Sequence, residues 1–429
     1  MIFPKILYII SSIGVHYGIY MRYNKAVVFG HFIISFDNVI NGFLAVVMAP
    51  LFFGGHNSPI IQLLSSYAAY AALFITGPIG AVSFGRIGDK YGRRKSLLIS
   101  IIGIGVPVFL IGLLPTYKTI GLIAPFMLIL LRMIQGFFKG SEYSGVLIHN
   151  YETGNKRTSS SANIVSCGCM GGCIAALVCW GITQDGAPNW FWRIPFLIGG
   201  VLAFIVFLFR IRIQETNDYI EILNKHQVSR TPVKDIFKNH KLETIVGIAV
   251  GAAYTSVAYS SMIFGNRLFQ QAGYSVSQSM IFSMFDLLWI SIAISICGKI
   301  ADKVGLIRQI KYGSLLLAIM SLPVCYLISG ELTLTKIYVY MIIVTFLSSS
   351  VASCSAAYVL SLFPASCRYS GFGITDSLGS IIGGFTPFMM LLFSSLFNSN
   401  LGCAVWLYII TIPTFILISV MNKKLEKRN

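Results

Sequence analysis

Six ionisable residues stand inside otherwise apolar stretches: Asp37, Arg132, Lys139, Glu142, Asp286 and Asp376. A charge taken out of water is costly unless it meets a partner, so each is a candidate for function. Asp37 lies about 11 residues, ~16 Å, along the first apolar stretch, and Arg132 about 12 residues, ~18 Å, along the fourth. Helices running in opposite directions bring the two to one depth. A carboxylate facing a guanidinium there stays ionised while paired and gains a proton when a substrate competes for the guanidinium. The other reading of the pair is a permanent salt bridge between two helices. If the substrate bears a carboxylate, Arg132 is its partner, with Ser35, Tyr254 and Tyr259 supplying hydrogen bonds.

Glu142 lies about 10 residues, ~15 Å, beyond Arg132, and reads as part of a gate network or as an interfacial acid. Lys139 reads as a snorkelling side chain. Asp376 is a better pocket candidate than Asp286, because Ser377, Gly379, Gly383, Gly384 and Pro387 make its helix close-packed and deformable. Cys167, Cys169, Cys173 and Cys179 fall among Gly168, Gly171 and Gly172, where Cys acts as a small apolar residue. Cys167 and Cys169 diverge by about 200° around a helix, so no metal site is expected. The six His are scattered, and no Ser-His-Asp spacing or Gly-x-x-x-x-Gly-Lys loop occurs. Neither an enzyme, a cofactor nor ATP-driven pumping is expected.

The elements that must position these groups are plain from composition. Of 429 residues 55% are hydrophobic and only 11% charged, and the mean hydropathy of +0.76 excludes an ordinary water-soluble globule. Twelve stretches can each cross ~30 Å of hydrocarbon. They run from Ala26 to Phe53, Ile61 to Phe84, Ser96 to Leu114, Thr119 to Leu147, Ala162 to Thr183 and Phe191 to Phe209 in the first half. In the second they run from Thr244 to Phe264, Met280 to Cys297, Tyr312 to Ser329, Ile337 to Phe363, Tyr369 to Phe397 and Leu401 to Met421. The expected organisation is a lead over 1–25, a six-helix bundle over 26–209, a polar linker over 210–243, a second bundle over 244–421 and a basic tail over 422–429. Met21 is a second candidate start, which would make Met1 to Tyr20 an over-long reading of the gene or an interfacial helix.

The net charge of +17 comes from basic residues clustered between the apolar stretches, not on one helical face, which argues for membrane topology over nucleic-acid binding. Lys and Arg concentrate at the N-terminal flank, in alternate loops, in the linker and in the tail, placing both termini in the cytoplasm. One of those loops, Gly85 to Lys95, packs six charges, and its pattern returns later: Gly85, Asp89 and Gly92 map onto Gly298, Asp302 and Gly305 with one constant offset. Gly85 is expected to end a helix, Gly92 to turn with positive φ, and Asp89 to accept from free amides at a helix start. Arg93, Arg94 and Lys95 then face anionic headgroups. A repeat at half the chain length means a duplicated membrane unit.

This loop resembles the loop 2-3 signature of the major facilitator superfamily, Gly-x-x-x-Asp-[Arg/Lys]-x-Gly-[Arg/Lys]-[Arg/Lys]. The stretch Arg132 to Tyr143, with Gln135, Gly136, Gly140, Ser141 and Glu142, is similar to a segment of that superfamily's metabolite:proton symporters. That group carries proline, betaine, α-ketoglutarate, citrate and shikimate. Ala49 to Phe53, Trp192 to Phe196, Glu215-Thr216, Leu362 to Pro364 and Arg368 to Gly371 extend the match over about residues 26 to 421. The chain departs from the group at Ile34, where a Glu is usual, and at Gly77, where an Arg is usual. The resemblance implies an all-α fold of twelve membrane helices in two pseudo-symmetric bundles, rocking about a midplane site. It also implies a monomer in the bacterial inner membrane and a gate at Gly85, Asp89, Gly92, Arg93, Arg94, Glu142, Gly298, Asp302 and Gly305. Proton symport of an amino acid, betaine or organic acid is the expected activity. Uniport or exchange on the same fold is the alternative, and a solute receptor a more distant one.

Overall fold

A computed structural model describes residues 17–55, 58–153, 157–184, 186–213, 215, 220, 232–364 and 367–426. Its spanning elements are α1 (Tyr17–Phe43, continued by Ala45–Phe52), α2 (Pro59–Ile75, continued by Gly77–Tyr91), α3 (Arg93–Leu113), α4 (Ile123–Thr153), α5 (Arg157–Ile182) and α6 (Arg193–Arg210). The second half follows with α7 (Lys241–Met262, continued by Phe264–Gln271), α8 (Val276–Val304), α9 (Leu306–Leu327), α10 (Leu334–Leu362), α11 (Arg368–Gly384, continued by Thr386–Leu396) and α12 (Cys403–Glu426). Among the described residues eleven helices are long and apolar enough to cross a bilayer, or twelve when the pair bent by 60° in α1 counts as one. Hydrocarbon offers no partner for N–H and C=O groups, so each span closes its hydrogen bonds within itself. The first described helix already includes Tyr17, upstream of the expected Ala26; residues 1–16 and most of the linker lie outside the described residues.

Small residues set how closely the helices approach. Gly136 and Gly140 of α4 lie against the carbonyls of Leu73 and Gly77, and Gly80 of α2 lies against the Phe137 carbonyl. Backbone meets backbone there, and Thr76 Oγ1 donates to Met133 O at 2.5 Å across the same crossing. Gly168 and Gly171 of α5 press on His31 and Phe32 of α1, as Gly379 and Gly383 of α11 press on α7. The two halves therefore repeat one contact, α1 on α5 and α7 on α11.

The duplicated loop is duplicated in conformation too. Gly92 (φ 102°) joins α2 to α3 and Gly305 (φ 100°) joins α8 to α9, in a region that side chains disfavour. Gly85 corrects one expectation: it does not end its helix, which runs on to Tyr91. Instead Gly85 lets α2 approach Ser370 of α11, and its counterpart Gly298 lets α8 approach Ser159 and Ala162 of α5. Each glycine of the pair thus faces the opposite half. The side chains of Asp89 and Arg93 lie outside the described set. Among the described residues, Glu215 brings a carboxylate to the start of α3, accepting from the Arg94 N–H at 3.2 Å.

A side chain at Gly136 must collide with backbone, whereas nothing lies within 4 Å of a Cβ at Gly181. Gly136→Leu is expected to cost ~3 kcal/mol or more and to lower the unfolding temperature of the purified protein. Gly181→Leu should leave it within a degree or two of the parent. Equal effects would remove close packing as the reason for glycine at 136.

Candidate functional site

A cavity of about 180 Å³ opens between the halves, walled by α1, α2, α4 and α5 on one side and α7, α8, α10 and α11 on the other. Four of the five expected substrate-binding residues line it: Ser35, Tyr254, Tyr259 and Asp376. The Tyr254 hydroxyl donates to Asp376 Oδ1 at 2.8 Å, fixing that carboxylate on the wall of the second half. From the first half Asn38 Nδ2 reaches the Tyr259 hydroxyl at 3.3 Å, a polar link between halves.

Lys139 does not snorkel away from the interior. It lines the cavity, its Nζ donating to Asn38 Oδ1 at 2.9 Å and lying 4.6 Å from the centre of the Phe74 ring. The cause is rotational: Gly136 and Gly140 lock one face of α4 on α2, and Lys139 on the turn between them has to project inward. Tyr70, Phe74 and Tyr259 form an aromatic group beside it, with ring centres 5.6 to 6.1 Å apart.

Arg132, expected at the substrate, stands behind the cavity wall. It shares with Asp37 a closed hydrogen-bonded ring between α1 and α4. Gln135 Nε2 donates to Asp37 Oδ2, and Gln135 Oε1 accepts from Arg132 Nη1 at 3.0 Å. Arg132 Nη2 donates to Asn41 Oδ1, and Asn41 Nδ2 closes the ring on Asp37 Oδ1 at 3.2 Å. All four side chains are buried, and the guanidinium lies 5.5 Å from the Phe196 ring centre. The carboxylate and guanidinium meet through two amides. Depth alone pointed to Asp37 and Arg132. Asn41 was missed, although its place one turn beyond Asp37 puts it on the same face, as Gln135 shares a face with Arg132.

Glu142 is fully buried within the first half. Its carboxylate pairs with Arg210 Nη2 at the end of α6 and accepts from Ser100 Oγ of α3 at 2.5 Å. Arg210 also donates to Leu97 O at 3.3 Å, so the pair braces α3, α4 and α6. Its guanidinium lies against Gly30 of α1. Sequence reading missed Arg210 because it stands where a basic flank of the linker was expected. Asp302 is exposed beside the Gly305 turn. Near Gly85, the Tyr369 ring of α11 lies 3.3 Å from the Cβ position of Gly88.

The model of the Major Facilitator Superfamily matches residues 27–387, and the chain belongs to that family. A proline/betaine transporter of Salmonella typhimurium is 26% identical over 375 residues, covering 82% of this chain and 73% of that one. A citrate-proton symporter of Salmonella typhi is 29% identical, covering 83% and 84%. The proton:xylose symporter XylE bound to 6-bromo-6-deoxy-D-glucose superposes with a TM-score of 0.77 at 14% identity, covering 94% and 95%. The protein is a multi-pass secondary transporter that resembles the superfamily's metabolite:proton symporters, as the motifs along the chain implied.

Breaking one partner of the buried pair strands the other. Arg210→Met is expected to destabilise by ~3–5 kcal/mol, while the double change Glu142→Leu with Arg210→Met returns most of that loss. Thermal unfolding of the three proteins checks it, and a double variant no better than the single one would deny the pair its role as a brace.

Proposed function

We propose that the protein is a proton-coupled symporter of a small zwitterion, an amino acid or a betaine. The observation that carries this reading is one cation and one carboxylate facing a single cavity from different halves, Lys139 on α4 and Asp376 on α11. A substrate carboxylate pairs with Lys139, and its ammonium or quaternary nitrogen lies against Asp376 and the faces of Tyr70, Phe74 and Tyr259. A tricarboxylate would bring more negative charge than one lysine offsets, so the site fits the proline/betaine relative better than the citrate one. Ser35, Tyr254 and Tyr259 supply the remaining hydrogen bonds.

Coupling runs through adjacent residues of α1. Asn38 holds Lys139, and Asp37 belongs to the ring with Arg132. Protonation of Asp37 removes an acceptor from the ring, freeing Gln135 and Asn41 to change partners and shifting α1 against α4. Arg132 thereby serves the proton and Lys139 the substrate carboxylate. Rocking of the two bundles, residues 26–209 and 244–421, parts contacts at one end at a time. At the basic end these are Gly85 with Ser370 and Gly298 with Ala162; at the other they are Gly42 with Ile263 and Gln184 with Ser277. Gly92 and Gly305 keep the basic loops tight, and Arg94 ties the linker to α3. The chain works as a monomer in the bacterial inner membrane with both termini and the basic loops in the cytoplasm.

Proteoliposomes test the division of labour. Asp37→Asn should bind and exchange substrate across the membrane yet fail to accumulate it under an imposed pH gradient. Lys139→Met should weaken binding of an amino acid or betaine by ~10–100-fold, the loss of one charge-assisted contact. A thermal-shift screen against amino acids, betaines and di- and tricarboxylates identifies the ligand beforehand. Uphill uptake by Asp37→Asn at the parent's level would place the proton elsewhere or make the carrier a uniporter.

A further inference from the structure

Asp286 is a buried carboxylate used neither by the cavity nor by the Asp37 ring, and unlike Glu142 it has no ion-pair partner among the described residues. It sits on α8 with 3% exposure. Its Oδ1 accepts from Thr345 Oγ1 of α10 at 2.8 Å, and Thr345 Oγ1 lies 3.2 Å from Ser261 Oγ of α7. Its Oδ2 is buried with no hydrogen-bond partner.

A lone carboxylate in hydrocarbon must be neutralised. A proton on Oδ1 would do so, donating to Thr345 Oγ1 while that hydroxyl turns to Ser261 Oγ, but it would leave Oδ2 buried without a partner. A bare cation is the better complement, because every oxygen present has a lone pair left to give. Thr345 points its hydrogen at Asp286 Oδ1, and Ser261 points its own at Ala258 O, 3.3 Å away. Both hydroxyl oxygens, and both carboxylate oxygens, remain open to a hard ion that favours oxygen. Helix α7 is also interrupted at Ile263, two residues past Ser261, and interrupted helices are where transporters bring backbone carbonyls to small cations.

We propose that Asp286, Thr345 and Ser261 form a sodium-ion site between α7, α8 and α10, distinct from the proton ring at Asp37. The site backs directly on the cavity. Met262 adjoins Ser261, Ile290 lies one turn beyond Asp286 and Ser348 one turn beyond Thr345, and all three line the cavity. An ion drawing the three helices together therefore sets the shape of the second half's wall. This reading is independent of which metabolite is carried and of where the proton rides.

The purified full-length protein tests it with NaCl against KCl and choline chloride at matched ionic strength and fixed pH. Sodium should raise the unfolding temperature by a few degrees in a saturable way where the other two salts do not. That increment should vanish in Asp286→Asn, persist in Asp37→Asn, and need about tenfold more sodium in Thr345→Val. Should Asp286→Asn fail to fold, Thr345→Val and Ser261→Ala carry the test, since each removes one oxygen and leaves the carboxylate. Equal response to all three salts overturns the site, as does a sodium response unchanged in Asp286→Asn, or unchanged in both hydroxyl variants. A response to pH alone, with none to sodium, overturns it in favour of a second proton.

Discussion

Taking a charge out of water in the middle of a membrane has a cost that no amount of apolar packing repays, and this structure is arranged around that fact. Each buried charge is answered differently. Asp37 and Arg132 answer each other through two amides, Glu142 and Arg210 pair directly, and Lys139 leans on an amide oxygen and an aromatic face. The differences are functional. A direct buried pair is hard to separate and so makes a brace, whereas a ring closed by amides can exchange partners without leaving a charge bare.

The fold was legible because its determinants are local or periodic. Apolar runs of membrane length, basic loops on alternate sides and the recurrence of Gly92 at Gly305 each have one physical reading, and the positive φ at both glycines is that reading made concrete. The depth of Asp37 and Arg132 could be counted along their helices for the same reason. What could not be counted is rotation. Lys139 has the depth of a snorkelling residue but the azimuth of a cavity residue, and the azimuth is decided by Gly136 and Gly140 against α2. Gln135 and Asn41 became visible only once α1 and α4 faced each other. Arg210 was lost differently, since a charge at the edge of a basic linker carries no mark of being fully buried.

The two halves show what duplication preserves. Backbone features survived: the glycine turns, the contact of α1 with α5 and its copy of α7 with α11, and the glycines that let each half approach the other. Side-chain chemistry diverged. The first half holds the ring and the lysine, while the second holds Asp376 with its tyrosine and the hydroxyl-bound Asp286. Shape is what both halves need in order to move as rigid partners; polarity is what must differ if one binds what the other does not.

Asp37 and Asn38 are neighbours on one helix, and successive helical residues point about 100° apart. One therefore looks into the ring with Arg132 and the other into the cavity, where it holds Lys139. A rigid rod cannot turn one of these faces and leave the other still. If Asp37 carries the coupling proton, as proposed, whatever free energy the substrate gains from a particular state of Asp37 the proton must gain in equal measure from the bound substrate. In the proposed cycle α1 acts as a camshaft: its two lobes are set at a fixed angle by the backbone, and the exchange rate between a pH gradient and a concentration gradient would be written in the step from one residue to the next.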